Sequence, residues 1–162
     1  MSIRSATDED KDAIWAILRP VIRRGETYTL PRNMGKEAAL TFWFATGNKT
    51  FVSEENGAIV GTYFLRANQG GGGLHVANCG YVTAETAQGR GIARAMCLHS
   101  LERAKESGFR AMQFNFVVST NTRAVELWKR LGFEIVGRLP GAFQHPELGF
   151  VDAFVMYKRL AQ

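Results

Sequence analysis

The residues with the most chemical character stand in one run, Gly80-Tyr81-Val82-Thr83-Ala84-Glu85-Thr86-Ala87-Gln88-Gly89-Arg90-Gly91-Ile92-Ala93-Arg94. A strand-like stretch passes through a short polar loop into a glycine-rich turn and then a helix. Gly89 and Gly91 have no side chain, so backbone N–H groups can approach an anion closely there. A helix start adds unpaired N–H groups and the positive end of a dipole. Arg90 and Arg94 can add charge-assisted contacts. The chemistry implied is the binding of a phosphate or pyrophosphate. The same two glycines are also compatible with a tight turn and nothing more. The Gly-x-Gly-x-x-Gly dinucleotide spacing is absent and no Gly-Lys-Ser/Thr follows, so two common phosphate loops are excluded.

Two asparagines interrupt apolar strand-like runs, Asn78 in His75-Val76-Ala77-Asn78-Cys79 and Asn115 in Met112-Gln113-Phe114-Asn115-Phe116. A buried amide without a partner costs about 1–3 kcal/mol. Each asparagine is therefore expected either to bridge strands or to face a polar ligand. Glu26, Glu85, His75 and His145 are general bases by residue type only, and each also suits a solvated or structural place. Cys79 has the type of a nucleophile, but a small buried residue explains it as well.

The elements that must position these residues follow from pattern. Ile3 to Ser5 reads as a strand. Thr7 is expected to cap a helix carrying Asp8, Glu9 and Asp10 in its first turn. Ile14, Ile17, Leu18, Val21 and Ile22 recur at helical spacing, and Pro20 predicts either a kink or a stop at Arg19. Lys36 to Ala45 is a second helix. Lys49 to Glu54 and Ala58 to Arg66 are strands joined at Asn56-Gly57, a hairpin turn. Gly70 to Gly73 reads as a mobile connection, Leu74 to Val82 as the fourth strand, and Gly91 to Ser107 as a long helix. Ala111 to Val117 is the fifth strand and Asn121 to Leu131 a helix. Strands over Ile135 to Arg138 and Val151 to Lys158 complete an α/β or α+β layer protein with a mixed sheet.

Length and composition bound the rest. The 162 residues fit a single domain over 1–162. Hydrophobic residues are 46% and charged residues 22%, which excludes disorder of the chain as a whole. No apolar run approaches the ~20 residues of a membrane helix, and Met1-Ser2-Ile3-Arg4-Ser5 has no signal-peptide core. Cys79 and Cys97 cannot make a disulfide framework and no Cys/His cluster has metal spacing, so no metal is expected and a cytoplasmic setting is. The net charge of +5 comes without a basic tract or an RNA-binding aromatic motif, and nucleic acid is demoted as a partner. A homodimer is compatible with the chain.

Gln88-x-x-Gly91-x-Ala93 resembles the Gln/Arg-x-x-Gly-x-Gly/Ala motif of the GNAT N-acetyltransferases. Asn121-Thr122-Arg123-Ala124-Val125-Glu126-Leu127-Trp128-Lys129-Arg130-Leu131-Gly132-Phe133 resembles that family's Asn-x-x-Ala-x-x-Leu-Tyr-x-x-x-Gly-Phe segment. The resemblance implies the acyl-CoA N-acyltransferase fold: a mixed, mostly antiparallel seven-stranded sheet, splayed between strands 4 and 5 and flanked by four helices. It implies acetyl-CoA as co-substrate. The pyrophosphate would lie on Gln88, Gly89, Arg90, Gly91, Ile92, Ala93 and Arg94, and the pantetheine against Tyr81, Val82 and Thr83. The Val82 N–H would stabilise the oxyanion. Asn121 would serve both as helix cap and as pantetheine ligand, with Ala124 and Trp128 nearby. Trp128 departs from the family, which often has Tyr there to protonate the leaving thiolate. An indole has no such acid function.

The same resemblance implies transfer of acetyl to the amine of a small molecule by direct attack in a ternary complex. Glu26, Thr27, Tyr28, Asn78 and Asn115 would form the acceptor site. Asn78 and Asn115 look similar to those of the subgroup acting on proline analogues such as azetidine-2-carboxylate. The Gly25-Glu26-Thr27-Tyr28 loop is similar to that of the phosphinothricin acetyltransferases. Both point to an amino acid or its analogue. A protein N-terminus or lysine is the rival acceptor, and a non-catalytic acyl-CoA-binding module is the rival class.

Overall fold

The computed structural model describes residues 1–161. Strands β1 (Ser2–Ser5), β2 (Lys49–Glu55), β3 (Ala58–Ala67), β4 (Val76–Thr83), β5 (Ala111–Val118), β6 (Glu134–His145) and β7 (Gly149–Arg159) form one sheet in the order β1-β2-β3-β4-β5-β7-β6. Neighbours are antiparallel except β4 and β5, which run parallel and pair only at Val76–Ala111 and Ala77–Met112. Beyond those two rungs the strands part, so the sheet is splayed where the resemblance placed the gap. Helices α1 (Lys11–Arg24) and α2 (Lys36–Trp43) cover one face through a core of Ile14, Leu18, Trp43, Phe64 and Val82. Helices α3 (Ile92–Glu106) and α4 (Thr122–Arg130) cover the other through Tyr63, Cys79, Met96, Phe114 and Trp128.

Helix α1 continues through Pro20 to Arg24. A proline inside a helix costs about 3 kcal/mol. Ile14, Ile17, Leu18 and Ile22 are all buried, and each is worth about 1.5–3 kcal/mol of burial. Of these only Ile22 lies beyond Pro20; its burial, with that of half-buried Val21, offsets the cost of the proline, and the helix does not stop at Arg19. Thr7 stands at the N-cap with Asp8, Glu9 and Asp10 in the first turn, as expected. A 3-10 turn over Asp8–Asp10 precedes the α-helix, and the Asp10 carboxylate accepts the Thr7 backbone N–H at 2.7 Å. Asp10 is fixed in turn by the two terminal guanidinium nitrogens of Arg4, at 2.8 and 2.9 Å.

Asn56 and Gly57 take φ of 52° and 79°, the left-handed pair that a two-residue hairpin turn demands. The Gly-rich segment forms a 3-10 turn at Gly71–Gly73, and β4 begins at Val76, not Leu74. The largest departure is β6, twelve residues long where Ile135 to Arg138 was expected. Pro140 and Gly141 mask it in sequence. Because β6 is the sheet edge, a proline without an N–H is tolerated there, and the register slips between Leu139 and Phe143 to absorb it.

Candidate active site in the splayed sheet

The splay is held open from both faces. On the α3–α4 face the Tyr81 and Phe114 rings meet edge-on, 5.9 Å apart, with Trp128 5.2 and 5.0 Å from them. The Tyr81 hydroxyl sits 2.6 Å from Ser100 Oγ on α3. These rings pack between the diverging strands and helices α3 and α4. At the fork itself the Asn78 side-chain N–H donates to the Gln113 carbonyl at 2.9 Å. On the α1–α2 face the Tyr28 hydroxyl donates to the Tyr81 carbonyl at 3.1 Å. Tyr28 reaches it because position 80 is glycine: a Cβ there would lie 3.0 Å from the hydroxyl and 2.7 Å from Phe64. Burial pushes the Tyr28 phenol pKa up, so it stays a donor at neutral pH.

The direction of each β4 amide follows from its pairing with β3. Asn68 N–H bonds Val76 O, and Ala84 N–H bonds Val60 O. The register between them has no shift. Alternation in an antiparallel pair then makes 76, 78, 80, 82 and 84 the hydrogen-bonded positions. Val82 therefore spends its N–H on Thr62 of β3 and cannot offer it to an acyl group, which corrects the sequence expectation. The N–H groups facing the β5 side beyond the last rung are those of Cys79, Tyr81 and Thr83.

At the end of the gap, Gly89 and Gly91 have φ of 78° and 80°. Such angles are strained for other residues. No heavy atom lies within 4 Å of a Cβ built on Gly91. Helix α3 has no side-chain cap, and Ala95 to Gly91 is its first turn bond. The N–H groups of Ile92, Ala93 and Arg94 thus lack intrahelical partners. Arg94 and Arg123 border the same cleft. This cradle fits a diphosphate. Arg90 does not join it: its guanidinium is 2.9 Å from Glu55 on β2, and it borders no part of the cleft. Asn121 stands at the α4 N-cap but makes no capping bond with its side chain, so only the second of its two expected roles remains open.

One continuous cleft of about 960 Å³ joins this cradle to the α1–α2 loop. Tyr81, Val82, Thr83, Gln88, Gly89, Gly91, Ile92, Ala93, Arg94, Asn121, Ala124 and Trp128 line it, as do Thr27, Tyr28, Asn78 and Asn115. Glu26 does not. It lines a smaller side cavity with Arg24, Glu85 and Gln88, where Arg24 and Glu85 are ion-paired. Asn115 is exposed rather than buried: its amide donates to Asn68 Oδ1 at 2.6 Å and accepts from Gln113 Nε2 at 2.8 Å. His75 borders no part of the cleft, and His145 Nδ1 accepts the Glu147 and Leu148 N–H groups in the β6–β7 turn. Cys79 lines the cleft, but burial pushes its thiol up to about 12, which leaves almost no thiolate at neutral pH.

Sequence reasoning missed Arg66 and Arg123. Arg123 was legible, since it stands one residue before Ala124 in the Asn121 segment. Arg66 was not, because only sheet pairing brings β3 to the cleft. Among the described residues no three His, Cys, Asp or Glu are grouped to hold a metal ion, and no helix is long and apolar enough to cross a membrane.

A parallel fork in a seven-stranded sheet, with an anion cradle at the following helix, defines an acyl-CoA N-acyltransferase. Residues 15–133 match the sequence profile of the Acetyltransferase (GNAT) family, and the chain belongs to that family. It is an acetyl-CoA-dependent N-acetyltransferase. A GCN5-related N-acetyltransferase from Kribbella flavida is 39% identical, with a TM-score of 0.93 over 98% of this chain and 97% of that one. N-acetyltransferase aca1 of Schizosaccharomyces pombe is 26% identical over 151 residues, 83% of this chain and 72% of the relative. A phosphinothricin acetyltransferase from Sinorhizobium meliloti, solved in complex with acetyl-CoA, shares the fold at a TM-score of 0.85. It is 22% identical over 99% of this chain and 88% of that one.

Proposed function

We propose that the enzyme acetylates the amine of a small, amino-acid-like molecule by direct attack, with both reactants held in one ternary complex. The observation that carries this reading is the single cleft, which runs from the Gly89–Gly91 cradle through the splay to the pocket under Tyr28. Acetyl-CoA supplies an activated acyl thioester. The N–H groups of Ile92, Ala93 and Arg94, with the Arg94 and Arg123 side chains, hold its diphosphate. The gap-facing amides of Tyr81 and Thr83 serve its pantetheine arm and acyl carbonyl, the latter as oxyanion donor. Asn121 offers a free side-chain amide to the same arm.

Direct attack needs no enzyme nucleophile, which agrees with the raised thiol of Cys79. Among the described residues no carboxylate or imidazole lines the acceptor end, so water takes the amine's proton as the N–C bond forms, and the CoA thiolate released when the C–S bond breaks takes its proton from water. Tyr28, Phe42 and Phe64 wall that end and Asn78 and Asn115 edge it. Such a chamber suits a small acceptor better than a polypeptide. The free, buried cysteines suit a reducing compartment, and we assign the enzyme to the cytoplasm.

Free CoA released from acetyl-CoA, measured across amino acids, proline analogues, simple amines and N-terminal peptides, tests the reading. Turnover with amino acids or their analogues supports it. Turnover confined to peptides overturns it in favour of a protein N-acetyltransferase, and binding without turnover in favour of the acyl-CoA-binding module.

A further inference from the structure

We infer that Arg66 is the residue that selects the acceptor, by binding its carboxylate. The inference rests on reading the α1–α2 end of the cleft as the acceptor pocket. Arg66 lies on β3 directly opposite Asn78 on β4, at a hydrogen-bonded register position. Phe64, two residues earlier and on the same face, belongs to the α1–α2 core. The Arg66 guanidinium lies 4.9 Å from the Phe64 ring centroid and 5.9 Å from that of Phe42, and it lines the cleft.

Position and charge together make the case. Arg4, Arg24, Arg90, Arg103 and Arg138 each stand against a carboxylate; of the cleft arginines that do not, Arg94, Arg123 and Arg130 belong to α3 and α4, and Arg66 lies at the aromatic end beside Phe42 and Phe64. Half-buried Arg66 has none within ion-pair reach among the described residues, and two aromatic faces hold its stem and plane in place. The two rings contact the guanidinium but supply no anion, and an acceptor carrying a carboxylate supplies one. The guanidinium fork matches a carboxylate with two parallel hydrogen bonds.

The asparagines are poorly free for this task. Asn78 has already given a side-chain N–H to the Gln113 carbonyl, and Asn115 has given one to Asn68. The Asn78 carbonyl oxygen remains as an acceptor, which suits the substrate's N–H rather than its carboxylate. Arg66 at one end and Asn78 beside it thus distinguish the two ends of an amino acid.

The test compares amino acids and azetidine-2-carboxylate with their methyl esters, for the wild type, Arg66→Gln and Arg66→Lys. The wild type is expected to prefer the acids at least 10-fold in kcat/KM. Arg66→Gln should raise KM for the acids 10- to 100-fold, leave the esters nearly unchanged, and leave acetyl-CoA affinity intact. Arg66→Lys should recover part of the loss. A wild type that does not discriminate, or an Arg66→Gln enzyme that still does, overturns the inference. If no amine turns over, the acceptor reading itself fails. Arg66 is then judged by thermal shifts with N-acetyl amino acids against their amides, in the presence of CoA. A shift for the acids that Arg66→Gln abolishes sustains the carboxylate site, and no shift ends it.

Discussion

Asn78 gives its side-chain N–H to the Gln113 carbonyl at 2.9 Å, at the rung where β4 and β5 stop pairing. In a continued parallel ladder that carbonyl would accept a backbone N–H of β4. The asparagine thus terminates the ladder while keeping its last acceptor satisfied, and the cleft opens immediately beyond it. A residue chosen in sequence for binding is first of all the hinge pin of the site.

Asn78→Ala leaves the part-buried Gln113 carbonyl without that partner. It is expected to lower unfolding stability by about 1–3 kcal/mol, read from urea denaturation. An unchanged midpoint would show that water replaces the amide and that the fork needs no pin.

Gly91→Val is expected to weaken acetyl-CoA binding at least 10-fold. A Cβ at this position meets no protein atom within 4 Å, and the branched side chain occupies the space the cradle leaves for a diphosphate. The left-handed φ adds a folding cost of about 1–2 kcal/mol, so calorimetric titration must be paired with circular dichroism. Wild-type affinity in a folded variant would contradict the cradle.

Trp128 packs against Tyr81, Phe114 and Phe133 and is buried. Trp128→Phe should keep turnover within about 10-fold, since an indole donates no catalytic proton. Trp128→Ala should cost about 3–5 kcal/mol of stability. A loss of turnover above ~100-fold in the Phe variant, the scale of general acid catalysis, would give the indole a chemical role.

Acid stability should depend on Asp10. The Arg4 guanidinium holds its carboxyl below the usual range, at about 2, against desolvation that acts the other way. A depressed folded value stabilises the protein above the unfolded value near 3.8, and that contribution fades as pH falls toward 2. Asp10→Asn should lose on the order of 1–2 kcal/mol at pH 7 and flatten the stability profile between pH 4 and 2. Parallel profiles for the two proteins would refute the linkage.

Cys79 and Cys97 should resist iodoacetamide in the native enzyme at neutral pH, as burial pushes both thiols up to about 12. Mass spectrometry after incubation with acetyl-CoA alone should show no acetylated protein. An acetyl group found on Cys79 would replace direct attack with an acyl-enzyme route.

Much of this enzyme was determined by local pattern. Apolar spacing marked the helices. Alternation marked the inner strands, and Asn56-Gly57 marked the hairpin. The Gln88-x-x-Gly91-x-Ala93 turn and the Asn121 segment carried the family and its co-substrate, because those features depend on residues a few positions apart. Tertiary structure decided what depends on partners. Period-two alternation tells which side chains share a face, but the edge to which each N–H points is set by the neighbouring strand. Pairing with Thr62 therefore moved the gap-facing amides from Val82 to Tyr81 and Thr83. Glu55, 35 residues away, drew Arg90 off the cradle. The edge position of β6 let a strand run through Pro140. Strand spacing puts Arg66 on the same face as Phe64, but it reached the cleft only because β3 lies against β4 and Phe42 of α2 packs over it, placements that tertiary packing makes.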